Sequence, residues 1–158
     1  MHPNDALLQR LFTALDQHDY PTMGACYHQK KKVMFHDIAF DLTERKRILA
    51  MWHMICEGTD IRARFDVVNA NDRDGRVSLV DEYTFRDTGR EIRNIIESRF
   101  RFEDGFIVEH RDFCDARAWA SMAFGGMKGF VAGHIRLLRS ITANKKLNEF
   151  IKAHAEYQ

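Results

Sequence analysis

The sequence predicts an α+β fold: helices at both ends and a long, curved antiparallel sheet between them. Three observations predict it. Apolar residues recur at helical spacing through most of residues 4–55, four runs after Gly58 alternate apolar with polar side chains, and helical spacing returns from Trp119 onward. Segregation of this kind packs helices on one face of the sheet.

The opening stretch NDALLQRLFTALDQHD offers Asn4 or Asp5 as an N-cap, after which Leu7, Leu8, Leu11, Phe12 and Leu15 form one apolar stripe. YPTMGACY predicts a short second helix with Pro21 in its first turn, where a missing N–H is harmless. KVMFHDIAF, residues 32–40, is apolar and aromatic like a strand. DLTERKRILAMWHMI predicts the third helix, with Thr43 or Asp41 as its cap and Ile48, Leu49, Trp52 and Ile55 on the buried side.

Residues 61–70, 76–86, 91–102 and 106–113 are the four alternating runs, and NDRDG, DTGR and EDG between them are turn sequences. The runs should therefore pair in order as a meander. Beyond them, Ile135, Leu137, Leu138, Ile141, Leu147, Phe150 and Ile151 mark C-terminal helices.

A chain of 158 residues suits a single domain, 1–158. Its 24 basic and 23 acidic residues leave a net charge of +1, which gives no electrostatic reason to expect nucleic acid or an acidic membrane surface. Lys30, Lys31 and Lys32 read as a solvated turn. Cys26, Cys56 and Cys114 are odd in number and widely spaced, unlike a disulfide framework or a zinc set, so a reducing, cytoplasmic setting is expected. MHPNDALLQRLF lacks the basic start and apolar core of a secretory signal. WASMAFGGMKGFVAGHIRLL approaches membrane length, but Lys128, His134, Arg136 and four glycines interrupt it, and no membrane span is expected. The eight histidines are scattered without ligand spacing, so neither a metal nor another cofactor is implied.

LLQRLFTALDQHD, KVMFHDIAF and SRFRFEDGFIVEHRDFCD resemble, in that order, the first helix, first strand and closing hairpin of the nuclear transport factor two-like superfamily. That superfamily includes steroid delta-isomerases and SnoaL-like polyketide cyclases. The resemblance covers residues 5 to about 119. It implies a cone-shaped roll, a bent sheet closed by the first three helices, with a core over 5–119 and a helical extension over 120–158. It also implies a homodimer formed through the sheet's outer face. A small apolar molecule in the cone would be the ligand, with isomerisation or cyclisation next to a carbonyl as the activity. The alternative is a non-catalytic binding or dimerisation module. The glycine-rich FGGMKGFVAG, with Gly125, Gly126, Gly129 and Gly133, would then be a lid over the mouth or part of a helix pair at a dimer contact.

Residue by residue, the resemblance places Asp37 where isomerases carry a general base, Leu11 where they carry an oxyanion-hole tyrosine, and Ser98 where they carry a protonated aspartic acid. VEHRD resembles the SnoaL-like EHWD, whose aspartate is the acid/base, which implies Asp112 with His110 beside it. Strand alternation independently puts His110 and Asp112 on one face, where a carboxylate and an imidazole can share a proton. Asp37 has an ordinary reading too: it could cap its strand or pair with Arg45 or Lys46. His36 would face the other way.

Alternation also sorts the middle strands. Val77, Leu79, Asp81, Tyr83 and Phe85 share one face, so Asp81 is a carboxylate among apolar groups, costly unless paired or functional. Ile92, Asn94, Ile96, Ser98, Phe100 and Phe102 share another, which makes Asn94 and Ser98 either pocket groups or satisfied core groups. Trp52 and Trp119 are expected as pocket wall or plain core.

Overall fold

The computed structural model describes residues 1–126 and 136–158. Helix α1 (Pro3–Asp16) and the short α2 (Tyr20–Ala25) precede strands β1 (Met34–His36) and β2 (Asp41–Leu42), and helix α3 (Arg45–Gly58) follows. Strands β3 (Arg62–Ala70), β4 (Asp74–Phe85), β5 (Arg90–Glu103) and β6 (Phe106–Cys114) come next, then α4 (Ala116–Phe124), α5 (Arg136–Ala153) and a closing 3-10 turn, Ala155–Tyr157. No helix among the described residues is long and apolar enough to cross a membrane.

Two helix starts differ from the expected ones. Pro3 suits the first helical position, so α1 begins earlier and His2 is its cap. The His2 ring accepts from the Asn4 amide, and Asp5 reaches back to the His2 amide to complete a capping box. Asn4 instead donates to the Asn71 carbonyl. Before α3, Asp41 is drawn into β2, and Glu44 takes the cap position without a side-chain bond. The expected strand over 32–40 is likewise two short strands. Asp37 turns the chain between them by accepting from the amides of Ala39 and Phe40, at 2.7 and 2.6 Å.

The six strands form one open sheet in the order β2-β1-β6-β5-β4-β3. The four long strands pair antiparallel as the meander requires, while β1 lies parallel to β6 with Phe35 opposite His110. Asp104 and Gly105 make the β5–β6 turn, both with positive φ, the geometry that a two-residue hairpin demands. Just beyond it, Arg101 pairs with Glu109 but Phe102 with Ile107, so Val108 is an extra residue. This bulge lets both Ile107 and Val108 point inward and sets the parity that buries His110.

The concave face holds the core. Leu8, Leu11, Phe12 and Leu15 of α1 meet Val77, Leu79, Phe100 and Phe102 of the sheet, and Ile48, Met51 and Trp52 of α3 close over them. Gly75 admits the close approach of α1, since a Cβ there would sit 2.9 Å from Leu8 and Phe102 side-chain atoms. In α5, Leu147 is buried and Ala143, Phe150 and Ile151 pack against the same core. The glycine-rich segment expected as a lid or dimer contact falls largely on residues 127–135, as does Ile135, and lies outside the described residues.

Candidate functional site

The sheet's concave face leaves a hollow of about 530 Å³ at the end away from the α1 contacts, a size suited to a small organic molecule. Its wall is mostly apolar: Phe35, Ile38, Phe40, Trp52, Met54, Ile55, Ile61, Phe85, Ile96, Trp119 and Phe124 line it. Against that surface stand Asp37, Asp81, Asp112, Asn94 and Tyr83. Lys146 of α5 also reaches the lining and pairs with Asp87, at 3.1 Å.

Asp112 is the best supported of the three acids. Its Oδ1 receives Ser98 Oγ at 2.5 Å and His110 Nε2 at 2.9 Å. Behind His110, Tyr27 OH lies 2.8 Å from Nδ1, and Trp52 Nε1 donates to Tyr27 OH at 3.0 Å. The directions of these bonds follow from the donors. An indole N–H only donates, so the Tyr27 oxygen accepts it; His110 Nε2 faces a carboxylate oxygen and so carries a proton, which in the neutral imidazole leaves Nδ1 to accept the phenolic proton of Tyr27. His110 is thereby held as the Nε2–H tautomer, and that proton points at Asp112. Phe12, Phe35, Phe100 and Trp52 enclose the imidazole, with the Phe100 ring centre 4.3 Å away. Both bonds to Asp112 fall on Oδ1; among the described residues no donor reaches Oδ2.

His110 and Ser98 are therefore fully buried behind Asp112 and do not line the hollow. Of the two readings of Ser98 from its strand face, the structure gives the satisfied core hydroxyl, which positions the acid. Leu11 is plain core.

Asp37 reaches the same hollow from the β1–β2 turn. Burial raises its pKa to about 6, and the Asp112 charge adds to the rise, against the lowering effect of the Phe40 and Ala39 amides and of His110. It pairs with neither Arg45, which bonds the Gly24 carbonyl, nor Lys46, which bonds the carbonyl of Gln158. Asp37 both caps the turn through Oδ1 and lines the hollow.

Asp81 is 9% exposed, and its Oδ1 has no hydrogen-bond partner among the described residues. Burial, reinforced by the Asp112 charge, pushes its pKa well above the usual carboxylate range. Burial thus favours its protonated form, which can donate a hydrogen bond. Asn94 stands directly opposite it on β5, also buried at the wall. Next along β4, Tyr83 OH accepts from Trp119 Nε1 at 2.7 Å, which leaves the phenolic proton for the hollow. Burial first, and the nearby Asp81 and Asp37 charges further, raise its pKa to about 12. Both tryptophans thus serve as wall and as donors to a tyrosine.

Tyr27 was not singled out from sequence. The available signal was a tyrosine in an apolar stretch, whose hydroxyl must find a partner once buried; which partner depended on the fold.

A family model described as SnoaL-like domain matches residues 8–110. No curated protein matches the chain. Among solved structures, a candidate polyketide cyclase from Xanthomonas campestris pv. campestris superposes with a TM-score of 0.66 at 16% identity, covering 77% of this chain and 96% of that one. IdmH, a candidate polyketide cyclase from Streptomyces antibioticus, gives 0.63 at 20% identity, covering 77% and 98%. The Δ5-3-ketosteroid isomerase of a Mycobacterium species gives 0.63 at 16% identity, covering 75% and 97%. At these identities the likeness establishes the cone-shaped fold.

Proposed function

We propose, from the premise that this chain belongs to the SnoaL-like domain family, that it moves a proton next to a carbonyl of a small apolar molecule held in the cone, with Asp112 as the base. The observation that carries this reading is the directed chain Trp52–Tyr27–His110, which ends on one oxygen of Asp112, a residue of the lining, and leaves the other oxygen without a donor among the described residues. Such a chain fixes the carboxylate's position, and the His110 and Ser98 donors stabilise its ionised form, the one that accepts a proton.

The neighbouring strands β5 and β4 supply further polar groups to the same lining. The carboxyl of Asp81 in its protonated form and the hydroxyl of Tyr83 can both donate to an oxygen that gains charge as the neighbouring proton leaves, and Asn94 can orient it. In this reading His110 and Ser98 are positioning residues. Asp37, near neutrality in pKa, is the second acid within reach of the ligand.

Deuterium incorporation into a panel of apolar ketones in D2O, followed by NMR, tests the proposal. Exchange at the carbon next to the carbonyl is expected with the native chain and its loss with Asp112→Asn. Equal exchange by both would overturn it. A second reading, ligand binding without turnover, is favoured by Leu11, which puts no hydroxyl where the isomerase resemblance requires one; it predicts binding of the same ketones with no exchange.

A further inference from the structure

On the far side of α3 from the hollow, the C-terminal segment folds back and brings a group of its own to two groups of α3. His53 and Glu57 lie one turn apart on α3, and His154 follows α5. One ligand atom from each lies within 4.8 Å of the other two. We propose that His53, Glu57 and His154 bind a divalent first-row transition-metal ion, zinc foremost, and that the ion fastens the C-terminal segment to α3.

The hydrogen bonds around the cluster fit this role. His154 Nδ1 donates to the Phe150 carbonyl at 2.8 Å, so its lone pair is on Nε2. His53 Nδ1 lies 2.9 Å from Tyr157 OH and its Nε2 lies 2.7 Å from Glu57 Oε1. The Tyr157 hydroxyl can donate or accept. When it accepts from Nδ1–H, the Nε2 lone pair of His53 is freed on the side where Glu57 stands. Each histidine then has its outer nitrogen held by an oxygen, the arrangement that orients metal-bound imidazoles. The rings are also fixed by packing: Tyr20 stacks on His53 at 3.7 Å, and Phe150 on His154 at 3.9 Å.

Two imidazoles and one carboxylate are a zinc donor set with a fourth position open to water. Zinc bonds of about 2.0–2.2 Å need ligand atoms about 3.3 Å apart in a tetrahedron. The His53–Glu57 pair is already inside that distance, Glu57, half exposed at 55%, can rotate toward His154, and a small shift of the C-terminal segment would bring the two imidazoles to bonding distance of one ion. The spacing rule that implies no metal looks only along the sequence, where His53 and His154 are a hundred residues apart.

The test uses the untagged full chain, stripped with a chelator and titrated with Zn²⁺ by calorimetry and with Co²⁺ by visible absorption. One ion per chain is expected, with the cobalt bands of a four-coordinate nitrogen and oxygen site. Glu57→Gln and His154→Ala should each weaken binding by more than about tenfold, and Tyr157→Phe by about tenfold through the lost outer bond. Because Glu57 is exposed, its variant reads the loss even if His154→Ala fails to fold. Absence of saturable binding, or one ion bound with unchanged affinity by Glu57→Gln, would overturn the proposal.

Discussion

Tyr27 and His110, 83 residues apart, meet through a 2.8 Å bond between the phenol oxygen and Nδ1, and that bond decides which imidazole nitrogen faces Asp112. The phenol is itself held by Trp52. Removing its oxygen acts on both neighbours at once.

Tyr27→Phe leaves the Trp52 N–H and His110 Nδ1 buried without their partner. Each such group costs about 1–3 kcal/mol. A lowered urea midpoint is expected, and nitrogen chemical shifts of His110 should move from one tautomer toward a mixture. An unchanged midpoint would mean that water replaces the hydroxyl.

Asp112→Asn keeps an oxygen for Ser98 and His110, so the fold should hold. Proton abstraction should fall by about 10²–10⁴, the usual loss for a removed general base. Circular dichroism and the deuterium-exchange rate, measured on the same preparation, separate the two effects.

Asp37 makes a pH-dependent contribution with a definite sign. Its folded pKa of about 6 lies above the usual 3.8, so the folded chain holds this proton more tightly than the unfolded one. Its contribution to stability is full below pH 3.8 and is lost as pH rises from there through about 6. Asp37→Asn retains the oxygen that caps the Ala39 and Phe40 amides but cannot ionise. The variant should be more stable than the native chain at pH 7, by at most about 3 kcal/mol, with the difference vanishing near pH 3.5. Denaturant curves at the two pH values check it.

Tyr83→Phe removes a donor from the hollow and the acceptor of the Trp119 N–H. If Tyr83 holds the developing oxyanion, turnover should fall by about 10²–10³ while ketone affinity changes far less. Because burial raises its pKa to about 12, the hydroxyl stays protonated and this loss should be flat across pH 6–9. Trp119 emission should shift as its N–H loses its partner.

Much of the sheet was legible in the sequence. Along β4 and β5 the alternation is clear enough to sort the faces despite Val80 and Ile95 on the outer one, and the structure buries Val77, Leu79, Asp81, Ile92, Asn94, Ile96 and Ser98 on the concave side as the alternation requires. The period of a strand is fixed by backbone geometry, so side-chain facing survives any tertiary arrangement. Where chemistry depends on a turn or a bulge the sequence was less informative. Nothing local distinguishes a nine-residue strand over 32–40 from two short ones with Asp37 between, or places the extra residue at Val108.

The chain by itself therefore determined which side chains share a face, where the hairpins turn, and that acids lie among apolar neighbours. Only the tertiary structure decided which acid is supported. The parallel docking of β1 on β6 and the seating of Tyr27 and Trp52 beside His110 are contacts between segments far apart in the chain, and so is the approach of His154 to His53. Alternation and capping are properties of a few adjacent residues; a directed hydrogen-bond chain exists only once packing has brought its members within 3 Å.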